Sequence, residues 1–402
     1  MKPIFLSETQ IYRISNDLLR GELRRIRGAK SELPDFEQDA VFTDAPWNMD
    51  SIEIMEMTAA VNEFFHLYKT GLEDNLLRYK NLSRWIEMIS LSWQEHSEEI
   101  TFRTSGSTGE PGQCTHSMDV LMQEAEELSR IFAGRKRMIS FVPAHHIYGF
   151  IFTVLLPVQM GIEIMDGRNM GIGTLLRTVE SGDLIVSFPL HWSYLERSVP
   201  GWPENVHGVS STGPIRPDLI LRLQQSGLDL FTEIYGSSEH GGMGFRHNPG
   251  LPFHLFSYLQ STGPSAESES AIVRTLPDGN LKKFPADDLL KWENEIDFHV
   301  LHRRDGAVQV AGINVYPEKV AAFLRKHPLV AECAVRLMCK TENPRLKAFI
   351  VPAQEMETDS LRREISLWIQ QNLSAPERPV FLSFGRKIPK NEMGKAADWE
   401  TD

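Results

Sequence analysis

Thr104-Ser105-Gly106-Ser107-Thr108-Gly109 is a run of small residues that offers successive backbone N–H groups and the hydroxyls of Thr104, Ser105, Ser107 and Thr108. Glycine permits the backbone geometry that turns neighbouring amides toward one anion, so the chemistry on offer is the holding of a phosphate. No Gly-Lys-Ser/Thr closes the run, which separates it from the lysine-ended nucleotide loop, and a plain surface turn would have the same composition. Two later stretches give it a context. One is Tyr235-Gly236-Ser237-Ser238-Glu239; the other is Ile388-Pro389-Lys390-Asn391-Glu392-Met393-Gly394-Lys395. In the second, proline and glycine bracket one cation, and Lys395 follows the glycine directly. Such a loop can deliver the ammonium of Lys395 to a place where negative charge develops.

Taken in chain order, these stretches resemble the core motifs of the adenylate-forming superfamily: acyl-CoA synthetases, aryl-CoA ligases and peptide-synthetase adenylation domains. The resemblance covers roughly residues 98–398. It implies ATP-dependent activation of a carboxylic acid to an acyl-adenylate with release of pyrophosphate, then transfer to a thiol to give a thioester. Under it, the 104–109 loop holds the β- and γ-phosphates, Tyr235 stacks on adenine beside Gly236, and Ser238 bonds the α-phosphate. Glu239 would hold Mg²⁺, and Lys395 would bond the carboxylate and α-phosphate during in-line attack. Ser211-Thr212-Gly213-Pro214 resembles the looser adenine-contacting loop, and Pro143-Ala144-His145-His146-Ile147-Tyr148-Gly149 the segment that sets His146 against the acyl carboxylate.

The same resemblance makes Asp288 the ribose ligand, Arg303 a ribose or phosphate contact, and Asp305 the hinge between domains. It places Gly312, in Gly312-Ile313-Asn314-Val315-Tyr316-Pro317-Glu318, on the tunnel for the thiol. Three departures stand out. Gly112-Gln113 occupies the place after the proline where most members carry lysine, Ser238 replaces threonine, and His302 replaces the glycine before Arg303. Gly241, Gly242 and Gly244 follow Glu239, where the family shapes its acyl pocket; their lack of side chains leaves room for a flat or long acyl group, with an aromatic acid favoured. The acceptor stays open between coenzyme A and the phosphopantetheine of an acyl carrier protein. A degenerate, non-catalytic scaffold is the alternative that Gly112 and a short N-terminal part suggest. An ordinary nucleotide hydrolase or kinase would differ in cleaving ATP to ADP rather than AMP.

These residues need a frame, and hydrophobic periodicity supplies it. Residues 1–97 read as a helical lead-in, with helices predicted over Ile11–Ile26, Met55–Tyr68 and Asn81–Trp93, where apolar residues recur every three or four positions. Glu99–Arg103 reads as a strand feeding the loop, and Ser117 as the N-cap of a helix. Strands are predicted at Met138–Val142, Ile162–Met165, Leu184–Phe188, Val206–Ser210 and Leu230–Ile234, with helices between them. That alternation predicts an α/β fold: a large N-terminal domain of mainly parallel, helix-covered sheet over residues 1–304, and a small mobile α+β domain over 305–402. Both the 104–109 loop and Tyr235-Gly236 follow a predicted strand directly, where open α/β sheets place ligands. Hairpins are expected after about residue 255.

The bulk composition limits the alternatives. Of 402 residues, 41% are apolar and 24% charged, as in globular proteins, and the net charge of −12 argues against nucleic acid as a partner. Cys114, Cys333 and Cys339 form no paired spacing, so neither a disulfide framework nor a zinc site is expected. His240, His247 and His254 are seven apart, but Gly241, Gly242, Pro249, Gly250 and Pro252 forbid the helix that would align them as metal ligands. The N-terminus does not read as a signal peptide. The longest apolar stretch, Ile147–Met165, is broken by Pro157, Gln159 and Glu163, so a cytoplasmic enzyme with no membrane span is expected.

Overall fold

The computed structural model describes residues 6–28, 33–104, 112–262, 271–303, 306–310, 313–338, 345–354, 357–389 and 398–399. The lead-in is helical as expected: α1 (Glu8–Arg27), α2 (Ser51–Phe65), α3 (Glu73–Arg78) and α4 (Leu82–Glu95). α1 starts where Ser7 can cap it, since Ser7 Oγ accepts from Gln10 N while Gln10 Oε1 accepts from Ser7 N. Asp50 and Glu53 repeat this reciprocal arrangement at α2.

β1 (Glu99–Thr104) and β2 (Gly112–Ser117) follow, then α5 (Met118–Ile131), β3 (Arg137–Ser140), α6 (Ile147–Phe150), a π-helical turn over Ile151–Leu155 and α7 (Leu156–Met160). The alternation continues through β4 (Glu163–Asp166), α8 (Ile172–Thr178), β5 (Asp183–Ser187), α9 (Pro189–Ser198), β6 (His207–Ser210), α10 (Pro217–Gln225) and β7 (Leu230–Ser237). Then come β8 (Gly241–Arg246), β9 (Phe253–Leu255), β10 (Leu259–Ser261), β11 (Ala271–Thr275), β12 (Leu281–Pro285), β13 (Asp288–Trp292) and β14 (Asp297–Arg303). The remaining elements are β15 (Val308–Val310), β16 (Ile313–Val315), α11 (Pro317–Leu324), β17 (Val330–Leu337), β18 (Leu346–Pro352), α12 (Thr358–Asn372) and β19 (Phe381–Phe384).

Among the described residues the main sheet has nine strands in the order β13-β14-β9-β8-β7-β6-β5-β3-β4. From β4 to β7 every pairing is parallel; from β7 through β8 and β9 to β14 the pairings are antiparallel. The α/β expectation is met, with two corrections. The change to hairpins comes at residue 237, not near 255, because β8 folds straight back on β7. β1 and β2 also form their own antiparallel pair outside the main sheet, with Thr104 opposite Gly112, so the phosphate-loop candidate joins a hairpin rather than crowning a parallel strand. Ser117 does stand at the N-cap of α5, but its side chain makes no capping bond.

The chain divides into two compact units. The first holds α1–α10, β1–β12 and Lys291–His299; the second holds Asp287–Leu290 and the described residues from Val300 onward. One face of the parallel strands is buried by α8, α9 and α10 around Ile139, Ile185, Trp192, Leu219 and Phe231. Complete burial of each such side chain contributes roughly 1.5–3 kcal/mol, which makes this half a stiff support. In the second unit β17, β18 and β19 form a sheet covered by α11 and α12 through Val320, Leu324, Leu361 and Ile365. The strand β19, parallel to β18, was not predicted. No helix among the described residues is long and apolar enough to cross a membrane.

Candidate active site

β7 is the seam of the main sheet, parallel to β6 on one side and antiparallel to β8 on the other. Tyr235, Gly236 and Ser237 lie inside this strand rather than after it, paired with Gly244, Gly242 and Gly241 across a bulge between Tyr235 and Gly236. Ser238, Glu239 and His240 form the turn to β8. The pairing is close: a Cβ on Gly236 would lie 2.4 Å from the Gly241 carbonyl oxygen. Glycine is therefore required where the two backbones approach.

The turn and the strands on either side of it are held by side chains from β2, β11, α5 and two loops. His116 on β2 donates from Nε2 to the Ser238 carbonyl at 2.7 Å. A carbonyl can only accept, so the Nε2–H tautomer is fixed; burial keeps the ring neutral, with its pKa lowered to about 4. Arg274 on β11, itself buried, donates to the His240 carbonyl at 3.1 Å and to Gln123 Oε1 on α5. Glu124, also on α5, accepts from Gly242 N at 2.8 Å, and Tyr258 Oη donates to the Gly242 carbonyl at 3.3 Å. Ser211, following β6, donates from Oγ to the Ile234 carbonyl. Burial pushes the Glu124 carboxyl up to about 7, against the pull of Arg274 and the Gly242 N–H. These clamps leave Glu239 exposed at the tip of the turn, with no hydrogen bond or ion pair to the described residues.

Glu124 also changes the reading of the glycines. A Cβ on Gly242 would lie 2.3 Å from Glu124 Oε1 and 2.7 Å from a ring carbon of Phe256, and one on Gly241 would lie 2.7 Å from Glu124 Oε2. The room those residues leave on that side is filled by a carboxyl group of the protein itself. Gly241 also brings β8 beside Ile147, which follows His146.

Of the residues expected to meet the acid, His146 stands at the N-cap of α6, its ring 4.1 Å, centroid to centroid, from that of His145. The surrounding protein lowers the pKa of both imidazoles by desolvation, which leaves them neutral near pH 7. Tyr148, two residues on, is buried and donates to the Ser187 carbonyl at the end of β5.

Ser211, Thr212 and Gly213, expected to contact adenine, follow β6 next to β7. Thr212 has φ +72°, a left-handed conformation that is strained for a β-branched residue and marks sites where geometry is imposed. Tyr235 is half-buried, its ring against Phe253 and Phe298. Asp288 opens β13 and Arg303 closes β14, the adjacent strand of the same hairpin, so they share its open end. Ser105, Gly106, Ser107, Thr108, Gly109, Asp305, Gly312 and Lys395 lie outside the described residues, and of Thr104 the backbone alone is described. The three histidines spaced by seven are apart: His240 stacks on Phe284, His247 bonds Thr232 and His254 pairs with Asp297. No group of metal-binding side chains occurs among the described residues. The sequence reading missed His116, Glu124 and Arg274, whose positions carry no local signal of a site.

The sequence pattern of the "AMP-binding enzyme" family matches residues 100–274, and that of the "AMP-binding enzyme C-terminal domain" matches residues 319–395. A 4-coumarate–CoA ligase of Halorhodospira halophila is 36% identical over 97% of this chain and 99% of its own. A second 4-coumarate–CoA ligase, from Rhodobacter capsulatus, is 34% identical over 97% and 100%. Both alignments extend over nearly the whole chain, its N-terminal part included. In fold, the chain resembles an o-succinylbenzoate CoA synthetase of Bacillus subtilis, with a TM-score of 0.60 at 16% identity over 97% of this chain and 92% of the other.

Proposed function

The chain belongs to the AMP-binding enzyme family, and we propose that it converts 4-coumarate, or a closely related 4-hydroxycinnamate, to its coenzyme A thioester. It is an acid–thiol ligase that works through an acyl-adenylate. The observation that carries the choice of acid and thiol is the pair of 4-coumarate–CoA ligase relatives aligned over nearly the whole chain. In the first half-reaction a carboxylate oxygen attacks the α-phosphorus of ATP, the bond to the β-phosphate bridge breaks, and pyrophosphate leaves. In the second, the thiol sulfur attacks the acyl carbon, AMP departs with the bond electrons, and the thiol proton is released.

Each residue has a part in this reading. The 104–109 loop cradles the leaving pyrophosphate, Tyr235 and the strained Thr212 turn flank the base, and Asp288 with Arg303 meets the ribose. Ser238 bonds the α-phosphate. Glu239 fits Mg²⁺, because an exposed carboxylate with no partner among the described residues is the type of hard oxygen donor that ion takes one or two of, alongside phosphate and water. When bound, the ion neutralises phosphate charge as pyrophosphate departs. The neutral His146 orients the acid carboxylate by hydrogen bonding without competing for the phosphates. The Gly241–Gly242 backbone beside Ile147 forms part of the acyl wall, Lys395 stabilises the attack, and a turn at Asp305 opens the tunnel at Gly312 to the thiol.

The test is acid-dependent pyrophosphate release with Mg·ATP across 4-coumarate, other cinnamates, benzoates and fatty acids, run with coenzyme A, with a holo carrier protein and with neither. Fastest release and thioester formation with 4-coumarate and coenzyme A is expected. Turnover confined to benzoates or fatty acids, or to the carrier protein, would replace this assignment.

A further inference from the structure

Helix α1, from the lead-in that the sequence motifs leave unassigned, runs along the whole acid-facing segment 143–155 and grips it at four points. Asp17 Oδ2 accepts from Ala144 N at 2.6 Å, and both residues are buried. One turn later, Gly21 faces His145 so closely that a Cβ there would lie 2.9 Å from Nε2 and 3.3 Å from Cε1 of the ring. Toward the start of the helix, Arg13 donates to the Thr153 carbonyl at 3.0 Å and Gln10 to the Val154 carbonyl at 2.9 Å. Those two carbonyls belong to the π-helical turn behind α6, whose wider winding departs from the usual ladder. The grip is braced: Asp17 Oδ1 accepts from Arg168, which also pairs with Asp166 at the end of β4.

A buried carboxylate is retained when it has partners, and here the partners are one backbone amide of the acid-facing segment and one arginine fixed to the sheet. The same helix reaches toward the phosphate side. Glu22 accepts from Arg103 at 2.9 Å, and Arg103 precedes Thr104 at the mouth of the loop. The contacts at 144 and 145 fall immediately before His146, so any shift of α1 is passed to that ring through two residues of backbone.

We infer that α1 is the positioning element of the acid site, with Asp17 the residue that fixes Ala144 and Gly21 the close approach that sets His145, so that His146 meets the carboxylate. This rests on the proposed placing of the acid at His146. Neither Asp17 nor Gly21 touches substrate; both act through the segment.

Two variants test it in the full-length enzyme. Asp17→Ala leaves the Ala144 amide without its acceptor and is expected to raise KM for the acid at least tenfold, with KM for ATP within twofold. Asp17→Asn keeps an amide oxygen for Ala144 but turns its NH2 toward Arg168, and is expected to recover part of that loss. Gly21→Ala favours the helix itself yet pushes on His145; it is expected to raise KM for the acid at least threefold with an unchanged thermal midpoint. Kinetics are read with whichever acid gives the unmodified enzyme its fastest pyrophosphate release. The identity of that acid judges the proposed function, and the variants judge α1. Hydrogen exchange without ligand supplies a reading that needs no activity: amides of 143–155 are expected to exchange faster in Asp17→Ala than in the unmodified chain, while those of β5 and β6 do not change. An equal rise in both KM values, a fall in kcat with both KM values unchanged, or unaltered exchange over 143–155 overturns the inference.

Discussion

On one side of β7 the sheet is parallel and β3, β5 and β6 end in small buried residues, Ser140, Ser187 and Ser210; on the other it is antiparallel and carries Gly241, Gly242 and Gly244. The parallel half is backed by helices and packed tryptophan and phenylalanine, so its strand ends form a fixed rim. The antiparallel half gains its order differently. Its glycines have no side chains to pack; the Gly242 backbone is held by Glu124 and Tyr258, and the adjoining His240 carbonyl by Arg274. The turn bearing Ser238 and Glu239 lies where the two meet. Rigidity there comes from apolar burial on one flank and from buried polar groups on the other, and these respond to different perturbations.

Substitutions at the seam separate chemistry from support. Glu239→Gln removes an exposed charge that supports nothing in the fold. It is expected to lower kcat for acid-dependent pyrophosphate release by roughly 100-fold or more, the scale of a preorganised electrostatic group, with an unchanged unfolding midpoint in urea. Wild-type turnover in this variant would detach Glu239 from the reaction.

Behind the seam the expected effects are on stability. Glu124 has a folded pKa of about 7 against an ordinary 4.5, so between those values the folded protein keeps a proton that the unfolded chain has lost. Its contribution is fully present below about 4.5 and is lost as pH rises through about 7. Glu124→Gln cannot ionise and still offers Gly242 an acceptor. It is expected to match the parent at pH 4 and to exceed it at pH 8.5 by up to about 3 kcal/mol, read from urea unfolding at the two pH values. A difference that is the same at both pH values would show that Glu124 is not a protonated group in the folded protein. Gly242→Ala places a methyl against Glu124 and Phe256 and is expected to destabilise by about 1–3 kcal/mol at pH 7 by the same measurement.

The smallest effect belongs to the hairpin that carries the phosphate loop. Gly112→Lys restores the cation that most family members carry near this place, and it is expected to lower KM for ATP severalfold, less than tenfold, with KM for the acid unchanged. A lysine that leaves ATP affinity unaltered would show that the loop's amides suffice.

The parallel half was legible because each strand is a short apolar run between helical stretches. Leu184–Val186 and Val209 marked β5 and β6 to within a residue or two. The antiparallel half was not. Gly241-Gly242-Met243-Gly244 has no strand propensity of its own and becomes a strand because β7 and β9 pair with it. That pairing is why β7 extends through Ser237 when the apolar pattern stops at Ile234. Of the candidate site, the residues proposed to face substrate were visible as motifs, whereas the residues holding them were not. Glu124 sits between the apolar positions Leu121 and Ala125 of α5, and its partner lies 118 residues away in sequence. Asp17 is one carboxylate among several on an amphipathic helix until the fold brings Ala144 to it.

α1 and segment 143–155 grip each other across 124 to 144 residues of chain, and under the proposed placing of the acid at His146 this bears on any attempt to redesign the choice of acid. A chimera that transplants 143–155 alone imports one half of a joint, and the recipient's helix then presents the wrong partners to Ala144, Thr153 and Val154. The exchangeable cassette is discontinuous: residues 8–27 together with 143–155. Libraries that randomise the segment while leaving Gln10, Arg13, Asp17 and Gly21 untouched will be confined to substrates compatible with the existing helix, and pairing each segment with its own helix is the way out of that confinement.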